Sequence, residues 1–477
     1  MSAQRFSVRT YGCQMNVHDS EKVAALLEGA GLVASEQEGE ADLLVINTCS
    51  IRDKAEHQLY SDLGLLRAWK AERPGRMVAV GGCVAEQLGD RLLGRFGHVD
   101  FVFGTHHLRR VPALIEAARA GIRSAEVGED RSPGRFDLPM ARRAEPGEGV
   151  RRKAFVTVME GCDMFCSFCI VPLTRGREIS RPAAEIESEV RSLVERGIRE
   201  ITLLGQTVNA YGRHDVRRGH AAQAGTMPFA ELLGRLDAIP GLERIRYTSP
   251  HPLFFDEALI RAHAELERLC PHVHLPLQSG SSRILEAMRR RYSRERYLEI
   301  TAALQAARRD LVLTTDLIVG FPGETEQDFE ETLSILDAAG FVDSFSFKYS
   351  PRPGTAAAEL GASVSGELAQ ARLVQLQTRQ TERTLAYHRS RVGQQTRVLV
   401  DGPSRQGGGQ VSGRDPHQRV VNIDPEHGRS ILPGDFVDVR IVDAQPHSMR
   451  ASVLGSERLA GLDRAPSAGP GISPDLV

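Results

Sequence analysis

The sequence predicts an α/β protein of three units: an N-terminal open parallel sheet, a central partial (βα)6 barrel and a small C-terminal antiparallel β-barrel. Two observations carry that prediction. Through residues 6–120, and again from Lys153, short apolar runs alternate with helix-periodic stretches, the rhythm of parallel strands covered by helices. Over residues 393–453 the runs become short, alternating and punctuated by Gly and Pro, which suits a closed barrel. At 477 residues the chain is also too long for one core, so three domains are expected.

The first unit, residues 5–121, has strands expected at Phe6–Arg9, Leu43–Ile46, Met77–Val80 and Phe101–Phe103. Segments such as DSEKVAALLEGAG supply the covering helices. Residues 122–147, rich in Gly, Pro and charge, read as a linker, although a surface loop has the same composition. In the second unit, 148–382, six strands are expected: Ala154–Met159, Glu200–Leu204, Arg244–Thr248, His272–Leu275, Val312–Val319 and Ser344–Tyr349. Six βα units suit an open or partial barrel better than a closed eightfold one. A long helix over 366–392 ends this unit. The third unit, 383–454, holds TRVLVDG, QRVVNI, DFVDVRIVDA and ASVLG as strands, and 455–477 reads as a disordered tail.

Hydrophobic residues make up 41% and charged residues 26%, the balance of a soluble globular protein. No segment approaches the ~20 apolar residues that span a bilayer, and MSAQRFSVRTYGC lacks the apolar stretch of a signal peptide. The expectation is a cytoplasmic protein without a membrane partner. In that reducing compartment the seven cysteines are not a disulfide framework and point instead to metal or redox chemistry.

Three of them form a compact group. Cys162, Cys166 and Cys169 make C-x3-C-x2-C directly after a predicted strand, where βα-barrels hold their chemistry. Three thiolates at this spacing can wrap one four-iron cube and leave its fourth iron open. An open iron can chelate an amino and a carboxylate group, and S-adenosylmethionine carries both beside its sulfonium. One electron from the cluster then releases a 5′-deoxyadenosyl radical. A structural zinc would need a fourth ligand, and no further His or Cys follows in the loop. Phe168 is placed to pack on adenine. Gly205 with Gln206, and Ile318 with Gly320 and Gly323, lie at the ends of the second and fifth core strands, where they would meet the same cofactor. Gly205 or Gly320 alone reads more readily as a turn, and together at strand ends beside the triad they favour cofactor contact.

Cys13, Cys49 and Cys83 are dispersed, yet each follows an apolar run: SVRTYGC, LLVINTC and MVAVGGC. In a parallel sheet all three fall just past the carboxyl ends of strands, where such sheets gather ligands. Neighbouring strands lie ~4.8 Å apart, so the loops can converge on a second cluster. Inert buried thiols fit the spacing too. Cys270 reads as a plain core thiol.

These residues resemble the methylthiotransferase family of radical S-adenosylmethionine enzymes over roughly residues 5–453. YGCQMN (11–16), NTCSIRDKAE (47–56), GGC (81–83), MEGCDMFCSFCIVPLTRG (159–176), HLPLQSGS (274–281) and GFPGE (320–324) carry the resemblance. One departure is LGQTVNAYG, where the family pattern reads LGQNVNSYG; Thr207 and Ala210 put fine contacts in question. The resemblance implies two [4Fe-4S] clusters, on Cys162, Cys166 and Cys169 and on Cys13, Cys49 and Cys83, with S-adenosylmethionine as cofactor. It implies a radical SAM core and a TRAM-like barrel that binds RNA. YGCQMN with NTCSIR points to the branch that methylthiolates N6-(dimethylallyl)adenosine beside the anticodon of transfer RNA. The partners implied are the anticodon loop and a reducing donor of flavodoxin or ferredoxin type, with a monomer as the default. Another RNA base, a ribosomal protein, or a non-catalytic iron–sulfur sensor that grips RNA are the competing readings. A sensor would not need the Gly205 and Gly320 segments.

The overall formal charge is −2. A role with RNA therefore rests on local charge, as in the arginine-rich third unit and in MRRRYSRERY (288–297), which suits phosphate contact or a solvated helix start. Glu160, Arg175 and Lys348 carry no assigned role.

Overall fold

The computed structural model describes residues 4–50, 53–130, 151–217, 224–361, 364–424 and 430–457, with residues 136, 138, 139 and 219 besides. Its first unit is a six-stranded sheet: β1 (Arg5–Thr10), β2 (Val33–Ala34), β3 (Leu43–Thr48), β4 (Met77–Gly82), β5 (Phe101–Phe103) and β6 (Ser124–Glu126), in the order β2-β1-β3-β4-β5-β6. Every pairing is parallel. β3 and β4 read LLVINT and MVAVGG and are buried on both faces, as strands between two helical layers must be. Phe6, Leu43, Val45, Ala79 and Phe101 pack on one face and Leu44, Ile46, Val78, Val80 and Val102 on the other.

The stretch expected to be a linker begins later than its composition suggests. β6 pairs with β5 and extends the sheet to Glu126. Three exposed-edge residues of mixed polarity are too few to show a period. Most of 131–150 lies outside the described residues.

The central unit contains β7 (Lys153–Thr157), the small antiparallel pair β8 (Met159–Glu160) and β9 (Ile179–Ser180), and then β10 (Glu200–Leu204), β11 (Arg244–Tyr247), β12 (His272–His274), β13 (Val312–Val319) and β14 (Asp343–Lys348). Two parallel arcs, β11-β10-β7 and β12-β13-β14, are joined by a bridge between Ile245 and Leu269. The result is six parallel strands with helices outside, a barrel left open between its first and last strands. Its core is the largest in the molecule and includes Val156, Ile201, Ile245, Val273, Leu313, Leu317 and Leu376.

The helix Gly366–Ser390 packs on β14 and leads to the third unit. Five strands close a barrel: β15 (Gln395–Pro403), β16 (Val411–Arg414), β17 (Val420–Ile423), β18 (Phe436–Ala444) and β19 (Met449–Glu457), in the order β15-β16-β17-β19-β18. Two expectations need correction. Residues 383–390 belong to the helix, so the barrel starts near Gln395. The barrel is also not wholly antiparallel, because β17 and β19 run parallel where the barrel closes. β19 reaches Glu457, past the point where the tail was expected; the rest of the tail lies outside the described residues. None of the described helices is long and apolar enough to cross a membrane.

Candidate functional site

Parallel register brings the dispersed cysteines together. Thr10 is level with Asn47, and Asn47 with Gly81, so the loops after β1, β3 and β4 leave the sheet side by side. Cys13 caps the helix Gln14–Gly29, and Cys83 opens the helix Cys83–Leu88. Cys49 and Cys83 are buried and Cys13 half-buried. Gly12 has φ +133°, and a side chain there would collide with Cys49, so the two cysteine loops touch backbone to side chain. Asn16 fixes the cluster of loops: its Oδ1 accepts from Cys13 N and Sγ at 3.3 Å, and its Nδ2 donates to Thr48 O at 3.3 Å. Asn47 Nδ2 donates to Asn16 O and Ser20 Oγ, both at 2.9 Å. A hydrogen bond with Cys49 draws the Cys13 thiol down to about 6 against its burial, with Arg175 adding to the pull. Burial pushes Cys83 the other way.

The compact cysteines sit on the loop between β8 and β9. Gly161 has φ +77°, and a Cβ there would lie inside contact distance of Arg177 O, so the chain turns into the loop only with glycine. Gln206, expected at the cofactor, accepts from Gly161 N at 2.6 Å through its Oε1 and holds the turn. Thr207 Oγ1 lies 3.1 Å from Cys162 Sγ, and Arg290 Nη1 donates to Cys166 Sγ at 3.5 Å. Burial raises the Cys162 and Cys169 thiols, Cys169 to about 12. Such thiols ionise readily only against positive charge, which suits ligands to iron. Among the described residues no three His, Cys, Asp or Glu side chains converge tightly enough for a single ion. A four-iron cube spreads its thiolates more widely than one zinc does.

Phe168 and Ile318 share an apolar cluster with Ile284, Met288, Phe321 and Tyr349, and Phe168 also packs against Cys162, Met164 and Cys166. The ring therefore sits between the cysteine loop and the inner end of β13. Gly205 and Gly320 have packing reasons of their own: a Cβ would lie 2.6 Å from Met159 Cγ at the first and 2.8 Å from Ala369 Cβ at the second. Gly320 N also donates to Glu324 Oε2 at 2.7 Å. Gly323 has φ +81° and open space around it, while its carbonyl accepts from Arg283 at 2.6 Å.

Arg175 ties the segment after the compact loop to the first unit. It follows the compact loop, is buried, and its Nη2 lies 2.5 Å from Asp19 Oδ2 of the first unit. Cys83, Glu160 and Cys13 share its field. Thr105 Oγ1 donates to Thr174 O at 2.6 Å, and Lys22 faces Glu189 at 3.5 Å, so the same interface is pinned at further points.

The arginines of 288–297 are only partly free for phosphate. Arg290 is buried on Cys166, Arg294 donates to the carbonyls of Gly280 and Glu331 at 3.0 and 2.6 Å, and Arg296 pairs with Glu299 at 2.8 Å. Arg289 and Arg291 are exposed, both in the left-handed region, and bracket Arg290 as it turns inward. Arg290, Thr207, Asn16 and Arg175 as a bridge to Asp19 are the residues that sequence reasoning missed. Only their nearness to the motifs marked the last three, and Arg290 lies 124 positions from its partner.

Residues 5–104 match the uncharacterized protein family UPF0004, 156–336 the Radical SAM superfamily and 389–454 the TRAM domain. The tRNA-2-methylthio-N(6)-dimethylallyladenosine synthase of Geobacter metallireducens is 49% identical over 442 residues, covering 93% of this chain and 96% of that one. The protein of the same name from Geotalea uraniireducens is 46% identical over 447 residues, covering 94% and 98%. Among solved structures, the radical S-adenosylmethionine methyltransferase TsrM of Kitasatospora setae, with cobalamin and a [4Fe-4S] cluster bound, superposes with a TM-score of 0.52 at 16% identity, over 75% of this chain and 77% of that one. That likeness shows the fold. Near-full-length identity of this order settles the rest: the chain belongs to the family of tRNA-2-methylthio-N(6)-dimethylallyladenosine synthases, enzymes of the Radical SAM superfamily.

Proposed function

We propose that this enzyme converts N6-(dimethylallyl)adenosine beside the anticodon of transfer RNA to its 2-methylthio derivative with two [4Fe-4S] clusters that divide the work. Carbon 2 of adenine bears a hydrogen of no useful acidity, so acid–base catalysis cannot open that position. When bound, the cluster on Cys162, Cys166 and Cys169 with S-adenosylmethionine supplies a 5′-deoxyadenosyl radical, and the cluster on Cys13, Cys49 and Cys83 supplies the sulfur. The chain's own residues hold and shield these groups. Gln206 and Gly161 set the compact loop, Thr207 and Arg290 place hydrogen bonds on its sulfurs, and Phe168 with Ile318 gives an apolar wall. Asn16 and Asn47 order the second set of loops.

The observation that supports the reading is the Arg175–Asp19 pair: Arg175, at the end of the compact loop, reaches across to the first unit and lies in the field of Cys83 and Cys13. The barrel, matched to the TRAM domain, would take the anticodon arm, with arginines outnumbering acidic residues over 383–450. A flavodoxin- or ferredoxin-type protein would deliver the electrons to a cytoplasmic monomer. Replacing Cys49 by Ala tests the division. Iron should fall from about eight to about four per chain, 5′-deoxyadenosine release should continue, and methylthiolation should stop. Persistence of both activities would refute it.

A further inference from the structure

The inner face of the last core strand holds groups that the cysteine loops do not use. On β13, Leu313, Leu317 and Val319 point outward into the helix-covered core, so Thr314, Asp316 and Ile318 face the barrel interior. Register sets Phe345 of β14 beside Asp316 and Phe347 beside Ile318. Both rings are open to solvent, Phe345 at 43% and Phe347 at 41%. Among the described residues β14 has no strand beyond it, so the two rings flank the open side of the barrel. Two adjacent aromatic rings on a concave face, left uncovered, mark a place where a ligand is expected.

Polar groups converge there as well. His274 is level with Thr314 on the neighbouring strand, and its Nδ1 lies 3.0 Å from Thr314 Oγ1. Its Nε2 is 3.3 Å from Asp316 Oδ1, and its ring meets Phe345 edge-on at 5.8 Å between centroids. Asp316 is thereby oriented while keeping acceptor capacity for a donor in the barrel. One step along the same strands, Ile318 joins Phe168 and so reaches the compact cysteine loop.

We propose that Phe345 and Phe347, with Asp316 and His274, form the subsite for an N6-alkylated adenine. Such a base presents a π face, one N6–H and a branched five-carbon apolar chain. The two rings take the face and the chain, and Asp316 accepts the N6–H. The inference rests on the substrate reading above and adds the residues that recognise it. An apolar wall of this kind discriminates by the carbons it covers, which a plain adenine lacks.

The test uses the full-length, cluster-loaded enzyme and two anticodon stem-loop RNAs, one with N6-(dimethylallyl)adenosine and one with adenosine. Dissociation constants are read by fluorescence anisotropy, with KM and kcat measured separately. Wild type should prefer the alkylated RNA by about tenfold or more. Phe345→Ser and Phe347→Ser should each erode that preference and together abolish it, raising KM more than they lower kcat. Phe347→Leu should keep most of it. Because both side chains are exposed, the variants should fold, and amide exchange over the core strands should match wild type. Full discrimination in the double variant would overturn the subsite. A wild-type enzyme indifferent to the alkyl group would instead overturn the substrate reading on which the subsite rests.

Discussion

Replacing Arg246 by Met should loosen the C-terminal barrel from the core by about 3 kcal/mol. Arg246 is buried at β11; its Nε faces Glu200 Oε1 at 3.2 Å, and its Nη1 and Nη2 donate to Pro416 O and Asp415 O at 3.0 and 2.9 Å. Arg244, two residues earlier, faces Glu200 Oε2 at 3.3 Å and donates to Arg397 O and Arg414 O at 2.5 and 3.2 Å. Burial alone would raise the Glu200 carboxyl, but Arg246, Lys153 and Arg244 outweigh it and bring it from 4.5 to about 2. By linkage a depression of that size is worth about 3 kcal/mol. Those figures belong to the core, where breaking one side of a buried ion pair costs ~3–5 kcal/mol; the barrel's share is the two bonds from a charged donor to Pro416 O and Asp415 O, worth ~1.5–3 kcal/mol each. A depressed carboxyl contributes stability that is complete above pH 4.5 and lost as pH falls toward 2, and because all three cations belong to the core strands, that acid-sensitive stability is the core's own. Amide hydrogen exchange over β15–β19 measures the barrel's share. Protection at Val398, Val400 and Ile441, all buried in the barrel core, should drop in the variant and be partly regained in Glu200→Gln/Arg246→Met. Barrel protection unchanged within about 0.5 kcal/mol would refute the reasoning.

Two further outcomes are expected. Gly161→Ala introduces a Cβ against Arg177 O at φ +77°, which no side-chain rotation relieves, so anaerobically purified protein should lose about half its iron. Arg290→Gln removes a buried cation 3.5 Å from Cys166 Sγ, so the cluster there should be harder to reduce. A redox titration followed by electron paramagnetic resonance should show a potential tens of millivolts more negative, ~59 mV for each tenfold change, with Arg290→Lys between the two.

The fold was largely legible because its strands are apolar and its helices periodic. β10 and β13 run over Glu200–Leu204 and Val312–Val319 as expected. Both cysteine groups were legible because a parallel sheet puts every strand end on one edge, so position after a strand predicts proximity. β2, β6, β8 and β9 are two or three residues long, too short to show an alternation, and they went unseen. The parallel closure of β17 on β19 depends on how the barrel shuts, which no local window records. Arg290 shows the same limit within the site. In the sequence it is one of a run of arginines and reads as phosphate contact or a solvated helix start. Only the left-handed turns at Arg289 and Arg291 turn it inward to sulfur.

The Arg175–Asp19 contact makes the first two units electrically indivisible. Each contributes half of a charge pair that neither could bury by itself, at the seam between them. A chimera that grafts a first unit lacking an acid at position 19 onto this core would therefore leave Arg175 as an orphaned buried charge.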